Sequence, residues 1–218
     1  MKIPQDTAEA KKIQLELRRK VRIAPLEREP EFIAGVDAAF SGDKVIAAAC
    51  LYKYPDLVHV EDAFAIEDIP FPYIPGLLSF REGPAIIKAI RRLNKKPDLV
   101  IFDGQGIAHP AGMGIASHIG VLLDMPSIGC AKSRLIGDYD TPGISKGMTS
   151  ELTYHNTVIG TVLRTRDNVR PLFISPGHMI DMKGAVDIVL ACTGRYRVPE
   201  PIRSADALAG RIKKEIRI

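Results

Sequence analysis

The sequence predicts an α/β fold, a mixed sheet with helices on its faces. Three observations carry this. Three apolar strand-like runs follow one another with short connections. Helical and strand segments then alternate. Apolar residues make up 46% of the 218, enough for a layered core.

The chain opens on "MKIPQDTAEAKKIQLELRRKV", a helix with Ala10, Ile13, Leu17 and Val21 on one face. It lacks the apolar core of a signal peptide. "EFIAGVDAAF" (31–40) reads as a strand and "SGDK" (41–44) as a turn. "VIAAACLYKY" (45–54) and "LVHVEDAFAI" (57–66) are two more strands, joined at Pro55-Asp56. Connections this short favour an antiparallel meander. A helix is expected from about 77 to 93, with its start left open because Pro84 fits poorly in a helix interior. "DLVIFDGQG" (98–106) is a short strand ending in glycines, "GIASHIGVLLD" (114–124) a helix and "PSIGCAKS" (126–133) a strand. "ELTYHNTVIGTVLRTR" (151–166) is a hairpin turning at His155-Asn156, and "PLFISPGH" (171–178) a strand running into a Pro-Gly turn. Two helices follow, near 183–192 and 202–214. No repeat divides the chain, so 1–218 is expected to be a single domain.

Composition narrows the function classes. No run of ~18 uncharged apolar residues exists, so no membrane span is expected. Cys50, Cys130 and Cys192 are scattered, odd in number and without a CxxC, which supports neither a disulfide frame nor a zinc knuckle. A cytoplasmic location is the expectation. The formal charge of +4 is mild. Its basic clusters (Lys11, Lys12, Arg18, Arg19, Lys20 and Arg22; Arg91, Arg92, Lys95 and Lys96; Arg211, Lys213, Lys214 and Arg217) read first as solvated helix faces.

The carboxylates are more informative. In "EFIAGVDAAF" both strand faces are apolar and Asp37 is the sole ionisable side chain inside the run. A buried, unpaired carboxylate is costly and must find a partner or a metal. Asp103 repeats the pattern in "LVIFDG", sharing a face with Leu99 and Ile101. Taken singly, each also reads as a turn-capping or ion-paired residue, Asp103 at its strand end more readily than Asp37. If their strands are neighbours, the two carboxylates project together and repel unless a cation lies between them. Oxygen ligands alone suit Mg²⁺ or Mn²⁺. Glu82 stands where the intervening helix begins and could lean over the same edge, although a first-turn glutamate is also ordinary there. Just before it, Pro72 and Pro75 bracket Tyr73 and Ile74, stiffening an aromatic in a loop.

Seven motifs, "AGVDAAF", "FPYIPGLLSFREGP", "FDGQGIAHP", "GIASHIG", "GCAKSRL", "SPGH" and "PEPIRSAD", together resemble the endonuclease V family of deoxyinosine-specific repair nucleases. The resemblance runs from about Ala8 to Lys214, with the motifs in the family's order. It implies a ribonuclease H-like core in which the first and fourth strands are neighbours. It also implies an acidic site of Asp37, Glu82 and Asp103 holding Mg²⁺, for which Mn²⁺ can substitute. Asp206 matches a fourth ligand position where some relatives carry histidine; a helix-surface aspartate is the alternative. In that frame Lys132 is the cation near the scissile phosphate. His109 contacts phosphate or assists proton transfer, and His178 is a second candidate for either task. Pro72, Tyr73, Ile74 and Pro75 form a strand-separating wedge. Gly76, Leu78, Gly106 and Ile115 wall the base pocket. The implied reaction cuts DNA, duplex or single-stranded, one nucleotide 3′ to deoxyinosine, leaving a 3′-hydroxyl and a 5′-phosphate without removing the base. A monomer is expected. The alternatives are a ribonuclease acting on inosine in RNA, a junction resolvase and a non-catalytic binder of DNA structure.

Overall fold

A computed structural model describes residues 1–216; Arg217, counted above in the C-terminal basic cluster, lies outside the described residues. Among these residues, eight strands form one mixed sheet in the order β3-β2-β1-β4-β5-β8-β7-β6. The meander is β1 (Phe32–Ser41), β2 (Lys44–Lys53) and β3 (Val58–Asp68), each pair antiparallel. β4 (Leu99–Phe102) pairs parallel with β1, and β5 (Ser127–Ala131) parallel with β4. β6 (Thr149–Tyr154), β7 (Thr157–Leu163) and β8 (Leu172–His178) return the sheet to antiparallel pairing beyond β5. The mixed α/β class and the three-strand meander expected from sequence are both present.

Two layers of helix cover the sheet. α2 (Leu78–Arg91) and α3 (Ile115–Leu123) bury Ile86, Ile90, Ala116 and Ile119 against Ala34, Val36, Val100 and Phe102. On the other face, α4 (Met182–Ala191) and α5 (Glu200–Glu215) bury Ile188, Ile202, Ala205 and Leu208 against Ile33, Ile46, Ala48 and Ile101. Strand alternation sends neighbouring residues to opposite layers, which is why β1 reads apolar on both faces. No helix among the described residues is long and apolar enough to cross a membrane.

Several sequence expectations are corrected. α1 (Thr7–Arg18) ends before Val21, because Lys20 and Val21 tighten into bonds three residues back, to Leu17 O and Arg18 O. Its most buried residues are Ala10 and Gln14. Pro84 lies inside α2 after all. Burial of Phe80, Ala85 and Ile86 on either side of it holds the helix, so tertiary packing overrides the local preference. "SPGH" is strand rather than a turn beyond one: β8 continues through Pro176 and Gly177, and the register slips between Ser127 and Ile128 of β5. A bulge of this kind tolerates a residue without an N–H. The His155-Asn156 turn is as expected, with both residues at positive φ as a two-residue hairpin loop requires.

One close approach sets the second helical layer. A Cβ on Gly35 would lie 2.1 Å from the Pro201 carbonyl carbon, so α5 can start over β1 only because position 35 has no side chain. Gly35→Ala should therefore push α5 off the sheet at a cost of about 1–3 kcal/mol, the range for overpacking. Thermal denaturation reads this as a fall in Tm; an unchanged Tm would show that the contact can relax freely.

Candidate active site

The parallel register pairs Gly35 with Ile101 and Val36 with Phe102, so the next residues along are Asp37 and Asp103. Asp103 N–H donates to Val36 O at 3.3 Å, continuing the pairing past the end of β4. Both aspartates belong to the alternation set that faces α4 and α5. Gly35 lets α5 descend there, and Asp206 follows Pro201 along that helix to reach Asp37. From the opposite layer, α2 brings buried Glu82 over the same strand ends. Arg81 beside it turns away: its guanidinium sits 4.5 Å from the Phe40 ring centre and donates to Phe71 O at 3.2 Å.

Charge crowding is severe. Burial, then the Asp103 charge, pushes the Asp37 carboxyl up to about 7, with Asp206 adding to the effect; the Ala38 N–H and Lys132 oppose it. Burial, then Asp37 and Asp103, pushes Glu82 up to about 8 against the pull of Arg81. Lys132, just past β5, places its ammonium 2.5 Å from Asp103 Oδ2. Burial works against that ammonium, but Asp103, Asp37 and Asp206 outweigh it and hold its pKa above the usual lysine value. Among the described residues, no three acidic, His or Cys side chains are already gathered as a closed metal cage. The donor chemistry nevertheless fits a hard divalent cation: the carboxylates are oxygen donors alone, and their mutual repulsion is what such an ion relieves.

A cavity of about 390 Å³ opens beside Asp103 and Lys132. Gly76, Leu78 and Ile115 line it, and so does Tyr73. The first turns of α2 and α3 border it, and neither helix has a side-chain N-cap. Uncapped helix N-termini present N–H groups and positive potential to an acceptor. Gly106 does not line the cavity. It is buried against β8, where an added Cβ would lie 2.1 Å from Pro176 O, and its N–H donates to Ser175 Oγ.

The Pro72–Pro75 segment is exposed at its tip and fixed at its base. Tyr73 is 68% exposed, so it does not pack on the core. Gly76, at φ +81°, aims its carbonyl inward. That oxygen accepts from His109 Nε2 and from Gln14 Nε2, each at 2.9 Å. His109 Nδ1 accepts from Ala111 N–H at 3.1 Å, so both ring nitrogens are engaged beneath the loop rather than left for a phosphate contact or proton transfer. Burial also lowers the His109 pKa, against the Gly76 carbonyl, which raises it. His178 lies elsewhere. It ends β8 opposite Ser127, the first residue of β5, whereas the acidic cluster sits at the far ends of the parallel strands. There its Nδ1 accepts from Arg22 N–H at 3.2 Å and its Nε2 is 3.6 Å from Asp124. It is not part of this site.

The model of the family named Endonuclease V matches residues 15–207. The chain belongs to the endonuclease V family. It is 48% identical over 211 residues to an endonuclease V of Geotalea uraniireducens, covering 97% of this chain and 90% of that one. The crystal structure of the Streptomyces avermitilis endonuclease V superposes with a TM-score of 0.93 at 40% identity, covering 97% and 95% of the two chains. That of Ciona intestinalis endonuclease V (D234N), in complex with a 23-mer DNA containing an inosine followed by a ribo-adenosine, gives 0.86 at 26% identity, covering 96% and 97%. As an endonuclease V the chain is a nuclease. Three residues that position this site escaped the sequence reading. Gln14 looks like any polar helix residue until its burial is seen. Gln105 sits between two expected glycines, lines the cavity and donates to Ser133 O at 3.0 Å. Arg197 reaches back from before α5 to donate to Lys132 O at 3.0 Å. Nothing local in sequence marks any of them.

The charge crowding has a measurable consequence. Asp37 and Glu82 hold protons longer folded than unfolded, so the folded state binds more protons over the interval between the two values. Stability of the protein in chelator should be highest below about pH 4–5 as far as these groups decide it, and should fall as pH rises through 7 to 8. Asp37→Asn should flatten the slope. Denaturant unfolding at a series of pH values checks it; parallel curves for the two proteins would refute the crowding.

Proposed function

We propose that this endonuclease V hydrolyses DNA at deoxyinosine, cutting the phosphodiester one nucleotide 3′ to the lesion. The observation that carries the reading is the placement of Asp37, Glu82, Asp103 and Asp206 at one end of the sheet, beside a cavity of about 390 Å³ bordered by an exposed wedge. The bond broken joins phosphorus to the 3′-oxygen, the bond formed joins phosphorus to a water oxygen, and the products are a 3′-hydroxyl and a 5′-phosphate. The four carboxylates would hold Mg²⁺, with Mn²⁺ able to substitute. Such an ion supplies Lewis-acid polarisation of the phosphate and a more acidic bound water. Lys132, held by Asp103 on one side and by Arg197 through its main chain, sets a positive charge where the phosphate and the departing oxygen carry negative charge.

Lesion reading is a separate task. Hypoxanthine presents an O6 acceptor and an N1–H donor, and a base must leave the stack to be inspected on that edge. The N–H groups at the starts of α2 and α3 suit O6, apart from those of Phe80 and Ala116, which already donate to Leu77 O and Gln105 O. Tyr73 suits the vacated stack, because its ring stands in solvent on a proline-stiffened loop whose base is held by Gln14 and His109. His109 is thus a positioning residue in this reading.

Three comparisons test it. Asp103→Asn should lower nicking of an inosine strand by more than the roughly 100-fold typical of residues outside a metal's direct ligands, with inosine-DNA binding largely kept; near-normal nicking in Mg²⁺ would refute the ligand role. Matched deoxyinosine and inosine strands in the same assay separate DNA from RNA preference. Tyr73→Ala should weaken binding to an inosine duplex by about 1–3 kcal/mol, the range for aromatic–base stacking, with a smaller loss on the single strand. Equal losses on both forms would argue against a wedge.

A further inference from the structure

The wedge loop has a second hollow on its other side. A groove of about 550 Å³ runs between α1 and the loop. Ile74, Pro75, Gly76 and His109 line both this groove and the cavity beside Asp103. The second half of the loop is therefore a ridge between two spaces. α1 contributes Lys11, Gln14, Leu15 and Arg18, which fall on one helical face. Lys11 and Arg18 are exposed, Leu15 is 55% exposed, and no acidic residue lines the groove.

We propose that this groove receives the strand opposite the lesion when the substrate is duplex DNA. The inference rests on the reading that the Pro72–Pro75 loop parts the two strands. Asp103 and Lys132 belong to the first cavity, so the strand that is cut lies on that side of the ridge. A wedge that parts a duplex leaves the partner strand at its other side, and the groove is the surface there. Its chemistry suits that occupant. Leu15, Pro75, Pro110 and Ala111 offer an apolar wall to the face of an unstacked base. Lys11 and Arg18 are seven residues apart on the helix, about 10 Å along its axis. At roughly 3.4 Å of duplex axis per phosphate on one strand, that separation spans about three phosphates. The basic character of α1, an ordinary solvated face by composition, thus becomes a directed contact on one side of the helix only.

The test is a charge reversal with a matched control in the full chain. Lys11→Glu/Arg18→Glu changes the groove. Lys12→Glu/Arg19→Glu makes the same change in net charge at exposed positions on α1 and just past its end, which do not line the groove. Equilibrium binding is measured for one inosine-containing oligonucleotide, as a duplex and as a single strand, across a salt series. The groove variant should bind the duplex at least about tenfold more weakly, with the slope of log K against log salt shallower by about 2, one unit for each phosphate no longer neutralised. Its single-strand affinity should stay within about twofold of the unmodified protein, a change too small to represent two phosphates left without their cations. The control should weaken duplex binding less than the groove variant does. Equal weakening on both DNA forms, equal weakening in the control, or unchanged duplex binding would each overturn the proposal; the last would leave the groove to a protein partner. Failure of the unmodified protein to nick either inosine form in Mg²⁺ would instead remove the proposed reaction, while the binding difference still decides the groove.

Discussion

The parallel register between β1 and β4 is the constraint on which the site depends. It places the residue after Val36 beside the residue after Phe102, and those residues are Asp37 and Asp103. A slip of one residue would send one carboxylate into the opposite layer, against Ile86 and Ile119. The register is itself held by apolar packing on both faces, with Val36 and Phe102 under α2 and α3, and Ile33 and Ile101 under α4 and α5. A buried charge pair is thus positioned by residues that carry no charge.

The helices then complete the cluster from two directions. α5 reaches it because Gly35 has no side chain, and α2 carries buried Glu82 to it two residues before Pro84, through which the helix continues. Asp37, Glu82 and Asp103 repel one another, and a single ammonium on Lys132 offsets only part of that repulsion. Such crowding lowers the stability of the folded chain at neutral pH. It persists because the surrounding core is extensive, and because a bound cation would remove most of the penalty. A local conflict with folding is the expected signature of a working site.

The loop beside the cluster is built on a different principle. Its tip is free and its base is anchored: Tyr73 stands in solvent, while the Gly76 carbonyl takes two side-chain donors from distant parts of the chain. Proline on either side of Tyr73 and Ile74 limits what lies between. The loop is therefore restrained without being buried, which suits the proposed wedge. The same anchoring makes the loop a boundary between two hollows, so the order of Gln14 and His109 bears on both.

Much of this was legible in the chain itself. The meander, the alternating elements, the hairpin at His155-Asn156 and the isolation of Asp37 and Asp103 all follow from local periodicity and turn chemistry, which depend on near neighbours in sequence. The resemblance carried over seven motifs supplied the family. The tertiary structure decided the rest. His178 follows a motif shared with the acidic site's family pattern, yet β8 runs antiparallel to β5 and delivers it to the opposite end of the sheet. Gly106 lies in the glycine-rich turn, yet it serves a close contact with Pro176 instead of the cavity. Gln14 and Arg197 owe their roles to hydrogen bonds across 62 and 65 residues. Periodicity determines which face of an element a residue occupies; strand direction and long-range hydrogen bonding determine which end of the molecule that face meets, and a linear pattern of residue types carries no term for either.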